Sequence, residues 1–161
     1  MLHLLTSNTK ITNLDDACIQ PDAVDLRVGK IYRIEPTSIA TLTEHSKTHA
    51  VRTEVFPNED GMYVLQRGAY VVEFDHRIEV GADECGWVVS RSTLMRNGVY
   101  LHSCLYDSGY VGPMVSGLNV VGVDTFLLEV NARIGQYVCT KVDGVQHQYN
   151  GSYQETRLTN V

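Results

Sequence analysis

The sequence predicts an all-β protein, and two observations support this expectation. Short segments rich in Val, Ile, Tyr and Leu recur about every ten residues, separated by turn formers such as Asn97-Gly98 and Asp143-Gly144. Between these segments the chain lacks the apolar pattern of helical period that a βαβ unit needs. Many short strands at this spacing are typical of a sandwich, a jelly roll or a barrel. The expected strands cover residues 30–34, 62–66, 69–74, 87–89, 114–121, 126–130 and 136–142.

Two short helices are expected between the strands. Residues 92–97 form the clearer one, with Ser90 or Ser92 as its N-cap and Gly98 in the left-handed position after its end. The second is expected near 13–18. Both are too short to change the fold class.

The length and composition predict a single domain over 1–161. Hydrophobic residues make up 43% of the 161 residues and charged residues 20%, which is typical of one globular core. Residues 37–50 are polar and patternless, so we expect a loop there. The segment 146–161 is polar as well, and predicts a flexible C-terminal tail that is ordered only where other residues hold it.

The formal net charge of −6 argues against a broad basic surface for a nucleic-acid polymer, although a small phosphate pocket needs only a few cations. No apolar run approaches the roughly 18 residues of a membrane span, and the start of the chain lacks a secretory signal. The four cysteines are dispersed without a CxxC pair, which favours reduced thiols over a zinc site. We therefore expect a cytoplasmic protein with no membrane or nucleic-acid partner.

The first segment of chemical interest is IQPDAVDLRVG, residues 19–29, which places Asp25 within an apolar strand pattern. An isolated buried carboxylate is costly, so Asp25 should have a partner: a cation, a metal-bound water or backbone N–H groups. On this segment alone, a structural ion pair with Arg27 is the favoured interpretation.

Three further segments contain residue types suited to a nucleotide pocket. SRSTLMR at 90–96 joins arginines and hydroxyls to a helix start, which favours phosphate binding but equally fits a capped surface helix. LYDSGYVG at 105–112 offers Asp107 as a general base and Tyr110 as a ring against a sugar, or simply a tight turn. YNGSYQ at 149–154 is a polar segment able to close over phosphates.

The order of QPDAVDLRVG, SRSTLMRNG, LYDSGYVG, ARIGQYV and YNGSYQ resembles the motifs of the dUTPase and dCTP deaminase superfamily, over residues 19–154. The resemblance implies a distorted jelly-roll β-barrel that forms a homotrimer, with active sites at subunit interfaces. It also implies a deoxynucleoside triphosphate substrate and Mg²⁺. Within the superfamily, dUTPases convert dUTP to dUMP and pyrophosphate, deaminases release ammonia from dCTP, and bifunctional members do both.

The resemblance implies a role for each matching residue. Asp107 is similar to the aspartate that activates the attacking water, and Asp25 to an acid that contacts the metal through water while the phosphates hold most of the Mg²⁺. Substrate-binding roles fall on Arg91, Ser92, Arg96, Ser103, Tyr110, Gln136, Tyr149, Tyr153 and Gln154.

The motifs divide between the two branches of the superfamily. The first and last motifs and Arg96 look like deaminase forms, whereas the tyrosine of LYDSGYVG looks like the dUTPase form. Deaminases carry a proton-shuttling glutamate ten residues after the position of Asp107, and that position here is Gly117. Glycine cannot move a proton, so the leading prediction is a dUTPase-type pyrophosphatase on a deaminase-like scaffold.

Two alternatives stay open. One is a dCTP deaminase or bifunctional enzyme that uses another residue, and the other is a non-catalytic nucleotide-sensing or protein-binding relative. The small residues Ser116 and Gly117 also suggest room for a modified pyrimidine. Ser152 replaces a lysine common in deaminases, and Arg157 is a candidate to compensate for it. The divergence of the motifs is compatible with a phage origin.

Overall fold

The computed structural model describes residues 6–155, so Arg157 lies outside the described residues. The described chain is nearly all β, with one short α-helix, α1 (Ser92–Arg96), and one 3-10 turn, Asp16–Cys18. The strands are β1 (Lys10–Ile11), β2 (Val24–Ile34), β3 (Thr41–Leu42), β4 (Lys47–Thr48), β5 (Arg52–Val55), β6 (Met62–Glu79), β7 (Glu84–Ser90), β8 (Val99–Ser103), β9 (Val111–Glu129) and β10 (Arg133–Lys141).

One antiparallel sheet contains most of these strands, in the order β7-β10-β2-β6-β9-β8. β1 pairs with β6 and β5 pairs with β2, while β3 and β4 form a separate hairpin. The long strands β6 and β9 pair along most of their length, with register shifts between Gln66 and Gly68 and between Glu73 and Arg77. Such irregularities bend and twist a strand, which allows a sheet to curl towards a barrel.

Two serine hydroxyls bring the ends of the sheet together. Ser103 Oγ on β8 accepts the backbone N–H of Val88 on β7 at 2.9 Å, and Ser90 Oγ on β7 accepts the N–H of Leu101 on β8 at 2.8 Å. These bonds replace the backbone ladder that the two outer strands of the order would otherwise need. The sheet is therefore nearly closed, and it confirms the predicted all-β, barrel-like fold class.

The core fills the interior of this curled sheet. Alternating residues of each strand point inward, as the period of two requires. On β2, for example, Val24, Leu26 and Val28 are each at most 1% exposed. Tyr70, Tyr137, Ile134, Leu118 and Met114 are among the largest fully buried side chains.

All seven predicted strands are confirmed, but pairs of them merge. Residues 62–66 and 69–74 both belong to β6, and 114–121 and 126–130 both belong to β9. Turn formers inside these runs mark irregular points of a long strand rather than its end. The prediction also missed β1, β3, β4, β5 and β8, whose short segments carry no strong alternation. The hairpin of β3 and β4 lies inside the loop expected at 37–50.

The predicted cap of α1 is wrong. Arg91 occupies the N-cap position without a side-chain cap bond, since the Ser90 hydroxyl is used by Leu101 across the sheet. Gly98 does adopt the left-handed conformation, with φ of 67°. The second expected helix is only the 3-10 turn Asp16–Cys18, capped by the side chain of Asp15. Within the described residues, no helix has the length and apolar character needed to cross a membrane.

Candidate active site

A cavity of about 360 Å³ opens beside the turn that carries Asp107. The first residues of β9 form one wall, and the C-terminal segment closes another. Its lining comprises His49, Arg52, Val71, Cys104, Leu105, Tyr106, Asp107, Tyr110, Pro113, Val115, Ser116, Gly117, Tyr149 and Tyr153.

Asp107 begins a tight turn, in which the N–H of Tyr110 donates to the Asp107 carbonyl oxygen at 3.0 Å. Gly109 has a φ of 79°, and a Cβ there would lie 2.3 Å from the Gln148 side chain, so the turn requires glycine. The carboxylate of Asp107 is exposed, and it makes no hydrogen bond or ion pair with any residue between 6 and 155. It is thus open to water at the cavity wall, as a general base must be.

The charge of Asp107 affects the nearby thiol of Cys85. Burial raises the pKa of the Cys85 thiol, and the nearby carboxylate of Asp107 raises that pKa further. The thiol therefore remains protonated and neutral.

Tyr110 presents its ring to the cavity, while its hydroxyl is fixed. The hydroxyl donates to the carbonyl oxygen of Pro113 at 2.9 Å, and burial raises the pKa of Tyr110 to about 12. Its ring lies 5.7 Å from the Tyr106 ring and 5.5 Å from the Tyr149 ring, the latter edge-on. A ring held from both sides in this way is a rigid platform for a flat or puckered ligand group.

The C-terminal segment, up to residue 155, binds the turn and the start of β9. The N–H of Tyr149 donates to the Ser108 carbonyl at 2.8 Å, and the Gln154 side chain both accepts from Val111 N–H and donates to the Gly109 carbonyl. The N–H of Glu155 adds a bond to the Val111 carbonyl at 2.7 Å. The part of the expected flexible tail that the structure describes is thus pinned beside Asp107.

The β3–β4 hairpin holds the same segment from the other side. Lys47 Nζ donates to Ser152 Oγ at 2.7 Å and lies 3.9 Å from the centre of the Tyr153 ring. His49, also in the cavity lining, has its Nε2 3.5 Å from the Tyr153 hydroxyl. These contacts place cationic and polar groups at the rim of the cavity.

The cavity wall along β9 includes Val115 and Gly117, which share one face of the sheet with Val71 of the neighbouring β6. A Cβ on Gly117 would have no neighbour closer than 3.6 Å, the Cβ of His102. Ser116 points to the opposite, buried face, where its hydroxyl has no hydrogen-bond partner within the described residues. Both small residues noted in the sequence line the cavity, but only Gly117 leaves the space of a missing side chain on the cavity face.

A second polar cluster surrounds Asp25, whose side chain is 1% exposed. Gln136, its cross-strand neighbour on β10, donates to Asp25 Oδ1 at 3.0 Å. Arg133 and Arg91 approach Oδ2 at 3.3 and 3.6 Å. Each carboxylate oxygen therefore has at least one polar partner, which compensates for its burial.

The expected ion pair between Asp25 and Arg27 is wrong. Arg27 instead binds Asp15 at 2.8 Å and the carbonyl of Asn131 at 3.0 Å. Adjacent strands, rather than the nearest basic residue in the sequence, supply the partners of Asp25. Arg133 was missed for this reason.

The helix α1 adds two polar residues near the cluster, because it follows directly after Arg91. Ser92 is exposed in its first turn and Arg96 is exposed in its last. Arg91 itself also donates from Nη1 to the Arg133 carbonyl at 3.1 Å, so its guanidinium is fixed from two sides.

One chain thus brings the predicted site residues together in two groups. Asp107, Tyr110, Tyr149 and Tyr153 line the cavity, and Gln154 holds the segment that closes it. The remaining group around Asp25 consists of Arg91 and Gln136, with Ser92 and Arg96 on α1; none of these lines the cavity.

Three residues show where sequence reasoning and the structure diverge. The hydroxyl of Ser103 is engaged with β7 and the Cys104 carbonyl, so this predicted substrate-binding side chain already serves the fold. His49 and Arg52 line the cavity, although no sequence pattern indicated either residue, since they lie in or beside the patternless loop.

The described side chains do not fit a metal ion held by the protein alone. Residues 6–155 contain no group of three or more His, Cys, Asp or Glu that could bind one. Asp25, the predicted metal-contacting acid, is surrounded by cations and an amide rather than facing open solvent.

Sequence comparison assigns residues 1–142 to the family described as dCTP deaminase-like. The chain is 31% identical over 150 residues to the deoxyuridine 5′-triphosphate nucleotidohydrolase of Methanocaldococcus jannaschii, covering 92% of this chain and 95% of that protein. A Halobacterium salinarum protein named "Probable deoxyuridine 5′-triphosphate nucleotidohydrolase" is 33% identical over 147 residues, which cover 88% of this chain and 86% of the relative.

Solved structures show the same fold. The dCTP deaminase of Agrobacterium tumefaciens superposes with a TM-score of 0.62 at 16% identity, covering 81% of this chain but only 42% of that one. A mutant dUTPase from phage phi11 of S. aureus, described as coordinating a structural Mg(II) ion, superposes with a TM-score of 0.54 at 10% identity, covering 91% and 98%. By its sequence over most of its length, this chain belongs to the dCTP deaminase-like family.

Proposed function

We propose that this protein is a dUTP diphosphatase, which hydrolyses dUTP to dUMP and pyrophosphate. Relatives at 31–33% identity over most of the chain are named for this activity. The observation that carries the proposal is the exposed carboxylate of Asp107, which has no polar partner among residues 6–155, in the wall of a cavity that also contains the Tyr110 ring. A pyrophosphatase needs such a base, whereas a simple binding module does not.

In this mechanism Asp107 orients a water molecule and takes its proton as the water attacks the α-phosphorus. The Tyr110 ring lies under the deoxyribose, where a 2′-hydroxyl would be crowded. Tyr149 and Tyr153 close the cavity over the nucleotide and exclude bulk water, which strengthens the electrostatic contacts inside it. Arg91, Ser92, Arg96 and Gln136 bind the phosphates and stabilise the charge that develops on them.

The two groups of site residues explain why a homotrimer belongs to the proposal. The cavity and the cluster around Asp25 do not share residues within one chain. If subunits pack around a three-fold axis, the cluster of one subunit can face the cavity of the next. A complete site then combines Asp107 of one chain with Arg91 of another.

In this proposal Mg²⁺ is bound by the substrate rather than by a set of protein ligands. When bound to the triphosphate oxygens, it neutralises part of their charge. Asp25 then acts mainly by holding Arg91 and Gln136 in place, since its oxygens already have these partners. A cytoplasmic location remains a prediction.

A paired assay tests the activity. Purified protein with Mg²⁺ receives dUTP or dCTP, and both pyrophosphate and ammonia are measured. We expect pyrophosphate from dUTP and no ammonia from dCTP, because Gly117 provides no proton-transfer group. Ammonia from dCTP would establish a deaminase instead, and silence with both nucleotides would favour a nucleotide-sensing relative.

Mixing two inactive variants tests the shared site. In Asp107→Asn the cavity is defective, and in Arg91→Ala the phosphate cluster is defective. If each site combines both groups from neighbouring subunits, dissociating and reassembling an equal mixture should restore about one quarter of the sites. A site contained within one chain would give no recovery, and sedimentation of the wild type would then show whether a trimer forms.

A further inference from the structure

Gly117 is a glycine that the fold does not require. Its φ is not positive, and a Cβ would meet only ordinary contacts with His102, at 3.6 Å and beyond. By contrast, a Cβ at Gly112 on the same strand would lie 2.3 Å from the Tyr110 hydroxyl. Glycine within a strand costs about 0.5–1 kcal/mol relative to alanine. Its presence at position 117 is therefore better explained by the close approach of a ligand.

The position of Gly117 in the cavity indicates which part of a nucleotide would approach it. Pro113, which accepts the Tyr110 hydroxyl, lies four residues earlier on β9, or roughly 13 Å at about 3.3 Å per residue. With the deoxyribose on Tyr110, the base extends along β9 towards Gly117. Val71 and Val115 on this face are apolar, and His102, the cross-strand neighbour of Gly117 on β8, is the residue nearest to the missing Cβ.

We propose that the space beside Gly117 receives a small substituent on the pyrimidine ring, so that the enzyme also hydrolyses 5-substituted deoxyuridine triphosphates. This inference rests on the proposed function, because it extends the same site to a wider substrate class. A side chain at position 117 would occupy the space that the substituent uses. Val71 and Val115 favour a mainly apolar group such as methyl or hydroxymethyl.

The test compares kcat/KM for dUTP, dTTP and 5-hydroxymethyl-dUTP in the wild type and in Gly117→Ala and Gly117→Val. We expect wild-type values within about tenfold of one another, the lower end of what one methylene contact changes in an apolar pocket. In Gly117→Val the substituted substrates should lose at least about tenfold more activity than dUTP, with Gly117→Ala in between. Asn119→Val, the next same-face position of β9 but outside the cavity lining, should leave the ratios unchanged.

Two results would overturn the inference while leaving the dUTPase proposal intact. One is cleavage of dUTP with rejection of both substituted substrates by more than about a hundredfold. The other is an equal loss on all three substrates in Gly117→Val.

If no triphosphate is cleaved, nucleotide binding tests the pocket inference separately from the catalytic proposal. Calorimetric titration would then use the α,β-imido analogues of dUTP and dTTP. Comparable binding by the wild type, with selective loss of the dTTP analogue in Gly117→Val, would keep the pocket inference and reject the catalytic proposal. No binding of either analogue would overturn both.

Discussion

Asp25 and Asp107 are the two carboxylates of the proposed site, and they lie in opposite environments. Asp25 is 1% exposed and contacts two arginines and an amide. Asp107 is exposed at a cavity and makes no polar side-chain contact with the described residues. A buried carboxylate needs such partners to remain charged, whereas a base must stay accessible to its water.

One fold thus separates the positioning of charged groups from their reactivity. The Asp25 region is rigid because its charges satisfy one another across β2 and β10. The Asp107 region leaves its charge unsatisfied and instead fixes the surrounding turn, rings and tail. We therefore expect substitutions at the two acids to change different quantities.

The largest effect is expected at Asp107. Asp107→Asn keeps the size of the side chain but removes the base, so kcat for dUTP should fall by about 10²–10⁴-fold. Thermal stability should stay near the wild-type value, because the carboxylate has no partner to lose among the described residues. Rapid-quench kinetics would measure the chemical step, and titration with a non-hydrolysable analogue would show whether nucleotide binding is retained. Undiminished turnover would remove Asp107 as the base.

A large loss of stability is expected at Asp25. Asp25→Asn leaves Arg91 and Arg133 without their counter-charge, but their side chains are 36% and 30% exposed and can regain water. We expect unfolding to be easier by about 3 kcal/mol, the lower end for breaking a buried pair. Urea denaturation would measure this loss. Asp15→Asn, which breaks the exposed pair with Arg27, is the matched control and should change little. Equal losses of stability in Asp25→Asn and Asp15→Asn would contradict the expected difference between the buried and the exposed carboxylate.

Glu84 offers a third carboxylate for comparison, since it is fully buried and does not line the cavity, although its backbone carbonyl accepts the hydroxyl of Ser108 beside Asp107. It accepts hydrogen bonds from Asn8 N–H and from the N–H and hydroxyl of Thr9, at 2.7–3.0 Å. Burial raises the pKa of Glu84, but hydrogen bonds from Ser7 and Thr9 outweigh it and hold the pKa below its usual value.

The sign of the pH dependence follows from that lowered pKa. Glu84 stabilises the fold above the unfolded-state pKa of about 4.3, and this contribution is lost as the pH falls through the lower folded-state pKa. Glu84→Gln should cost about 1–3 kcal/mol at pH 7 and weaken the loss of stability on acidification. Urea midpoints at pH 7 and at a series of values below about pH 4 would test this. An unchanged pH dependence in the variant would show that Glu84 is not responsible.

Much of the fold could be predicted from the sequence because the residue pattern that indicates a strand is local. Runs of β-branched and aromatic residues gave the positions of the main strands. The long strands β6 and β9 were divided because Gly68 and Gly122 look like turns until a partner strand continues past them. Closure by Ser90 and Ser103 could not be predicted, since it depends on which strands meet across the seam.

The site was predictable only where chain neighbours act together. The turn from Asp107 to Tyr110 is local, so its sequence indicated both the acid and the ring. The partners of Asp25 come from β10 and the segment before α1, and no spacing in the sequence identifies Arg133 as one of them. Likewise, Lys47 reaches the tail across more than a hundred residues.

The smallest effect is expected at Lys47, which acts on the Asp107 region only through the tail. Lys47→Ala removes a hydrogen bond to Ser152 and a cation–π contact to Tyr153 on an exposed surface. Such a contact is worth about 0.5–1 kcal/mol, so KM for dUTP should rise about two- to fivefold while kcat stays nearly constant. Hydrogen exchange at the Glu155 amide should accelerate as the tail loosens. Lys10→Ala, which removes an equal charge from the exposed pair with Glu79, should change neither quantity. A fall in kcat without a change in KM would instead mean that Lys47 contributes to the chemical step. Closure of the tail and catalysis by Asp107 would then not be separate functions.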